Sequence, residues 1–213
     1  MSNCPREYMR LYAVTDRAWL NGESLYQQVE AALRGGVTCV QLREKELEEA
    51  AFLEEAKALR ALCKSYGVPF LVNDNVSIAL AVDADGVHVG QSDMAAGDVR
   101  AAIGPGKILG VTAKTVEQAL AAQQAGADYL GTGAFFGTDT KKDALPISFE
   151  TARAICAAVE IPVTGIGGIT MDNLDQLQGL GLDGVALVSA IFSAPDIEQR
   201  CRELHNRWMF FEQ

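Results

Sequence analysis

The chain has 213 residues, 49% hydrophobic and 22% charged, which suits one sizeable core and excludes general disorder. A formal net charge of −10, from 28 Asp and Glu against 18 Lys and Arg, excludes broad nucleic-acid binding but not a small anion held by local cations or a metal. Five scattered cysteines without a C-x-x-C pair, two histidines, no apolar leader and no run of about 18 apolar residues argue against a disulfide framework, structural zinc, a His-rich metal centre and a membrane span, and predict a reduced, cytoplasmic protein.

Short β-rich runs alternate with helical stretches from end to end. The pattern predicts strands over Leu11–Thr15, Cys39–Arg43, Phe70–Asn73 and Gly86–Val89, then over Ile108–Val111, Tyr129–Gly131, Val163–Ile166 and Gly184–Leu187. Helices are predicted between them. Ser24–Arg34 runs into Gly35. Leu47–Tyr66 is the clearest, with Leu47, Ala50, Ala51, Leu53, Ala58, Leu62 and Tyr66 mostly three or four apart. An Ala-rich helix closes on Gly126, and Asn173–Leu180 runs into Gly181. About eight β-then-α units in this length predict an α/β chain folded as a (β/α)8 TIM barrel, a single domain over 1–213. A doubly wound open sheet is the rival, but it usually has fewer strands, and no G-x-G-x-x-G follows the first strand. The longest apparent insertion, Phe135–Ile147, is a candidate functional loop.

Active sites of such barrels lie at the C-terminal ends of the strands. Here those ends carry Thr15-Asp16, then Gln41, Arg43 and Lys45 on one side of strand two by alternation. They continue with Asn73-Asp74, Gln91-Ser92-Asp93, Thr112-Ala113-Lys114, the loop "GAFFGTDTKKD", "GIGGIT", and Val188-Ser189. Asp is a favoured helix cap, so either Asp74 or Asp93 alone can be read as one. Two of them facing a shared mouth suit a hard cation such as Mg²⁺, completed by water and substrate phosphate. Gly167 and Gly168 can form a plain tight turn. Together with Val188 and Ser189, however, they match the phosphate site that barrels build after strands seven and eight. His88 reads as a satisfied histidine. Lys142, beside Lys141, reads as a solvated loop residue. Trp208, Phe210 and Phe211 read as packing for the last helix or as a homo-oligomer contact. Two anion subsites emerge: backbone at loops seven and eight, and Arg43, Lys45 and Lys141 with a metal on Asp74 and Asp93. Two anionic small-molecule substrates, one a metal-bound diphosphate, fit them.

"LYAVTD", "QLREK", "FLVNDN", "DGVHVGQSD", "LGVTAKT", "TDTKKD" and "GIGGIT", in this order and at these intervals, resemble the thiamine phosphate synthase family from about Leu11 to Ser193. The resemblance implies a (β/α)8 barrel. It also implies a Mg²⁺-dependent transferase that joins hydroxymethylpyrimidine diphosphate to hydroxyethylthiazole phosphate, giving thiamine phosphate and pyrophosphate. By the same resemblance Asp74 and Asp93 are the metal ligands. Gln41, Arg43, Lys45, Asn73, Thr112 and Lys141 surround the pyrimidine diphosphate, with Arg43, Lys45, Lys141 and Thr112 closest to the chemistry. Thr138, Asp139, Thr140, Gly168, Val188 and Ser189 hold the thiazole phosphate. The chain departs from the family pattern at Ala134 and Gly137, where prolines are common, at Thr112, usually serine, at Lys114 and at Leu42. Gly137 is expected to loosen its loop and raise the entropy cost of closing it. The alternatives are a thiazole tautomerase-like relative, which generally lacks the metal aspartates, and a non-catalytic phosphate-ligand binding protein on the same barrel.

Overall fold

The computed structural model describes residues 3–91, 93–137 and 146–209. Eight parallel strands close into a barrel in chain order. They are β1 Leu11–Val14, β2 Cys39–Leu42, β3 Phe70–Asn73, β4 Gly86–Val89, β5 Ile108–Thr112, β6 Tyr129–Gly133, β7 Val163–Ile166 and β8 Gly184–Leu187. Closure is direct, for Leu11 to Ala13 of β1 pair with Val185 to Leu187 of β8. This excludes the open doubly wound sheet. Around the barrel run α1 Leu25–Arg34, α2 Glu49–Tyr66, α3 Val76–Ala81, α4 Ala96–Ile103, α5 Val116–Gln124, α6 Phe149–Ala158, α7 Ser189–Phe192 and α8 Ile197–Met209. No helix among the described residues is long and apolar enough to cross a membrane.

Parallel strands buried on both faces need apolar residues on both, which is why they read as continuous apolar runs. Alternate residues accordingly split into two cores. Leu11, Ala13, Val40, Leu42, Val72 and Val87 pack outward against the helices. Tyr12, Val14, Cys39, Leu71, Ile108, Tyr129 and Ala186 fill the barrel, whose floor is closed from below by Cys4 and Met9. Glycine and aromatic residues interlock inside: a Cβ on Gly110 would lie 2.2 Å from Cζ of Tyr129, so the ring occupies the space a side chain would take. Helix starts follow local chemistry. Ser24 and Gln27 form a reciprocal capping box on α1, and Thr115 and Ser148 cap α5 and α6.

One predicted helix is corrected. Over Asn173–Leu180 only a single 3-10 turn forms, Leu174–Leu177. The Asn173 amide Nδ2 donates to the Gly168 carbonyl at 2.9 Å and its Oδ1 accepts from Thr170 N at 2.8 Å, so local side-chain bonds compete with the helix. Gly179, at φ 73°, then ends the segment. Trp208 is buried on α8, as expected, whereas Phe210 and Phe211 lie outside the described residues.

None of the five cysteines is in a disulfide. Burial pushes Cys4, Cys63 and Cys201 up to about 12 and Cys156 to about 11. These thiols stay protonated in the fold after they ionise in the unfolded chain. Their contribution to stability is therefore complete below about pH 9 and is lost between about pH 9 and 12, each thiol adding a slope of up to about 1.4 kcal/mol per pH unit. We expect the urea midpoint to fall steadily from pH 9 to 11. A flat midpoint across that range contradicts the burial.

Candidate functional site

One cavity of about 280 Å³ opens at the C-terminal ends of the strands. Every site residue predicted from sequence that lies among the described residues lines it: Gln41, Arg43, Lys45, Asn73, Asp74, Asp93, Thr112, Gly168, Val188 and Ser189. Thr138, Asp139, Thr140 and Lys141, with Ser92 and Lys142, lie outside the described residues.

The segment after β2 is held so that Arg43 and Lys45 face the cavity while Glu44 faces away. Glu44 Oε1 accepts from the backbone N–H of Lys45 at 2.8 Å and of Glu46 at 2.9 Å, and its Oε2 accepts from Arg17, which also bridges to Glu55. Burial pushes the Glu44 carboxyl up, but the Glu46 N–H, the Arg17 guanidinium and the Lys45 N–H outweigh it and hold Glu44 below its usual range. Thr15 Oγ1, buried at the end of β1, accepts from Arg43 N at 3.0 Å, and Arg43 Nη1 stands 3.7 Å from Asp16. Among the described residues the guanidinium therefore has one weak carboxylate partner, which leaves it a flank toward the cavity.

Neither aspartate caps a helix. Asn75 caps α3, its Oδ1 accepting from Ile78 N at 2.9 Å, and Ala95 stands at the N-terminus of α4. Asp74 instead takes the left-handed conformation, φ 60°, directly after β3. Non-glycine residues adopt this region uncommonly, Asp more readily than most. Its backbone N–H still donates to His88 O at 2.9 Å, continuing the ladder, while its carboxylate meets Lys45 Nζ at 2.6 Å. Asp93 is exposed, and its Oδ2 accepts from Gly90 N at 2.7 Å. Among the described residues no three His, Cys, Asp or Glu side chains gather as a self-sufficient metal cage. Two carboxylates at the rim of one cavity match the sparse protein share that Mg²⁺ takes when substrate phosphates complete its shell.

Deeper down, a hydrogen-bonded chain crosses the barrel. Gln41 Nε2 donates to Tyr12 OH at 2.6 Å, and Tyr12 OH meets Tyr129 OH at 2.8 Å. Tyr129 OH meets His88 Nδ1 at 2.8 Å, and His88 Nε2 meets Thr112 Oγ1 at 3.0 Å. Burial pushes both tyrosines well above their ordinary value, so they stay neutral. The chain ties Gln41 to Thr112 and gives His88 the satisfied role expected of it. Sequence reading missed Tyr12 and Tyr129. Only closure of the barrel brings them together, although both are inward by alternation.

On the opposite wall Gly167 and Gly168 turn at φ 97° and 66°. Phe136 N donates to Gly167 O at 3.1 Å, which seats the start of loop six on this turn. Val188 and Ser189 follow β8 and open α7.

A family model described as thiamine monophosphate synthase matches residues 11–191. The thiamine-phosphate synthase of Clostridioides difficile (strain 630) is 50% identical over 194 residues, 91% of this chain and 92% of that protein. Thiamine-phosphate synthase 2 of Streptococcus pneumoniae (TIGR4) is 47% identical over 205 residues, 94% of this chain and 98% of that protein. The solved structure of thiamine phosphate pyrophosphorylase from Pyrococcus furiosus superposes with a TM-score of 0.90 at 38% identity, covering 98% of this chain and 99% of that one.

Proposed function

The chain belongs to the thiamine monophosphate synthase family and its activity is the synthesis of thiamine phosphate, and on that premise we propose how its residues divide the work. The reaction joins hydroxymethylpyrimidine diphosphate to hydroxyethylthiazole phosphate and releases pyrophosphate. Gln41, Asn73 and Thr112 hold the pyrimidine, and Arg43 and Lys45 take its diphosphate with Lys141. Gly168, Val188 and Ser189 hold the thiazole phosphate, with Thr138, Asp139 and Thr140 above it. Asp74 and Asp93 hold Mg²⁺. The observation that carries this reading is that both aspartates are spared from helix capping and open, with Lys45, into the cavity that also contains Gly168 and Ser189.

The residues fit the metal. Their donors are hard carboxylate oxygens, and one of them already accepts a cation, the Lys45 ammonium. When bound, Mg²⁺ supplies positive charge to the departing diphosphate. The chain does the rest by position. Lys45 exchanges Asp74 for a diphosphate oxygen, and Arg43, with its flank toward the cavity, takes another. The Tyr12–Tyr129–His88 chain keeps Gln41 and Thr112 in place about the ring. The C–O bond to the exocyclic methylene breaks as the ring amine donates electron density, and the thiazole nitrogen forms the new C–N bond. No side-chain nucleophile is needed, and holding two rings in line is the main contribution.

The test is pyrophosphate release by the purified chain with each substrate alone, with both, and with both plus chelator. Release is expected only with both substrates and free Mg²⁺. Undiminished release in chelator overturns the metal assignment. Binding of thiazole phosphate without any release favours a non-catalytic binding protein, and isomerisation of a thiazole precursor alone favours a tautomerase.

A further inference from the structure

Thr164 lies on β7 with its side chain turned into the barrel. Its neighbour Gly165 faces the other way: a Cβ there would lie 3.0 Å from both Leu182 Cδ1 and Phe135 Cε2 of the outer packing. Thr164 and Ile166 accordingly line the cavity. Thr164 is 1% exposed, and its Oγ1 has no hydrogen-bond partner among the described residues. A buried hydroxyl left in this way carries the full cost of its lost hydration. Its register partners on the adjacent strands are Gly131 and Gly184, so neither contributes a side chain to cover it. The His88 ring leans over Gly131 instead, 3.2 Å from where a Cβ would stand. With Tyr12, Ile166 and Ala186 this makes a largely apolar, partly aromatic floor with an unused hydrogen-bonding group on one side.

We propose that Thr164 is a specificity-determining residue whose hydroxyl hydrogen-bonds the edge of the aminopyrimidine ring, an inference that rests on the functional reading above. Chemistry separates the two substrates. An aminopyrimidine offers ring-nitrogen acceptors and an amine donor at its edge, which a hydroxyl matches in either sense. The thiazole offers one nitrogen, which must stay unengaged to attack. Depth agrees with this choice. Lys45 and Asp74 stand at the rim with side chains 51% and 25% exposed, while Thr164 is buried beneath. A diphosphate held at the rim places its ring on the floor.

The experiment compares wild type with Thr164→Val, which keeps the shape and removes the hydroxyl. Thr132→Val is the control, since Thr132 Oγ1 is likewise buried without a partner among the described residues but does not line the cavity. For Thr164→Val, the Kd of pyrimidine diphosphate with Mg²⁺, and its KM, should rise about 3- to 10-fold, the loss of one neutral hydrogen bond. The KM of thiazole phosphate should stay within about twofold. The melting temperature should hold or rise by about 2–4 °C, as it should for Thr132→Val, whose kinetics should not change. Unchanged pyrimidine affinity in Thr164→Val, or a shift in the thiazole KM instead, overturns the proposal. Should valine fail to fold, Thr164→Ala must weaken pyrimidine binding and Thr164→Ser must not. A wild type that releases no pyrophosphate sinks the functional reading. A wild type that turns over beside a Thr164→Val protein of equal affinity sinks only this inference.

Discussion

An Asp93→Ala enzyme should release pyrophosphate about 100- to 1000-fold more slowly than wild type while melting within about 4 °C of it. The small structural cost follows from where the side chain lies. Asp93 is exposed, caps no helix and, among the described residues, accepts one bond, from Gly90 N within its own loop. Losing that bond removes about 1 kcal/mol. The large kinetic cost follows from charge. A carboxylate that helps hold Mg²⁺ supports several kcal/mol of stabilisation on the leaving diphosphate, and each 1.4 kcal/mol is a factor of ten in rate. Asp93→Asn separates the two effects. Its amide oxygen still accepts from Gly90, so the melting temperature should match wild type while the rate falls. Asp74→Ala should lose rate as well, and it also strips Lys45 of its partner at 2.6 Å. In chelator the gap between wild type and the Asp93 variants should close. Full turnover in both Asp93→Ala and Asp93→Asn ends the metal assignment.

Much of the barrel was legible because strands buried on two faces leave little freedom in their sequence. Phe70–Asn73, Gly86–Val89, Val163–Ile166 and Gly184–Leu187 fall where the apolar runs place them, and the other four differ by one or two residues at their C-terminal ends. The rim was legible too, since barrel strands deliver the residues just after them to the mouth, where Arg43, Lys45, Asp74 and Ser189 line the cavity. What escaped depends on closure. Tyr12 and Tyr129 are 117 residues apart, and each reads as an ordinary strand residue until β1 and β6 face each other across the interior. Glu44 reads as one more surface charge in "QLREK". Only the packing of α2 against this loop brings Glu55 beside Arg17 and turns Glu44 into the anchor that aims Arg43 and Lys45. Thr164 lies inside the predicted strand Val163–Ile166, and nothing local says that its hydroxyl faces the cavity floor with no partner among the described residues. The Asn173 segment failed for a local reason, its amide preferring Gly168 and Thr170 to a helix.

Gly168→Ala should raise the KM for thiazole phosphate at least about 100-fold while leaving the affinity for pyrimidine diphosphate within about twofold. Gly168 sits at φ 66°, where an alanine pays about 1–2 kcal/mol. Worse, its Cβ would lie 2.4 Å from Gly137 O and 2.8 Å from Phe136 C. Those are backbone atoms, which cannot swing aside as a side-chain tip does. On the other side Asn173 Nδ2 holds the Gly168 carbonyl at 2.9 Å, so the turn cannot simply back away. The start of loop six must move, and the cradle formed with Val188 and Ser189 must open. A phosphate losing two charge-assisted bonds of about 1.5–3 kcal/mol each accounts for the factor. Arg43, Lys45 and Asp74, which we propose to serve the diphosphate, are on the far wall, after β2 and β3, and should keep their geometry. Gly137→Ala is the contrast: a Cβ there meets no described atom within 4 Å, so thiazole binding should survive it. If Gly168→Ala holds its thiazole KM within about threefold of wild type, the phosphate does not lie on this turn, because no relaxed structure keeps both the cradle and the added methyl.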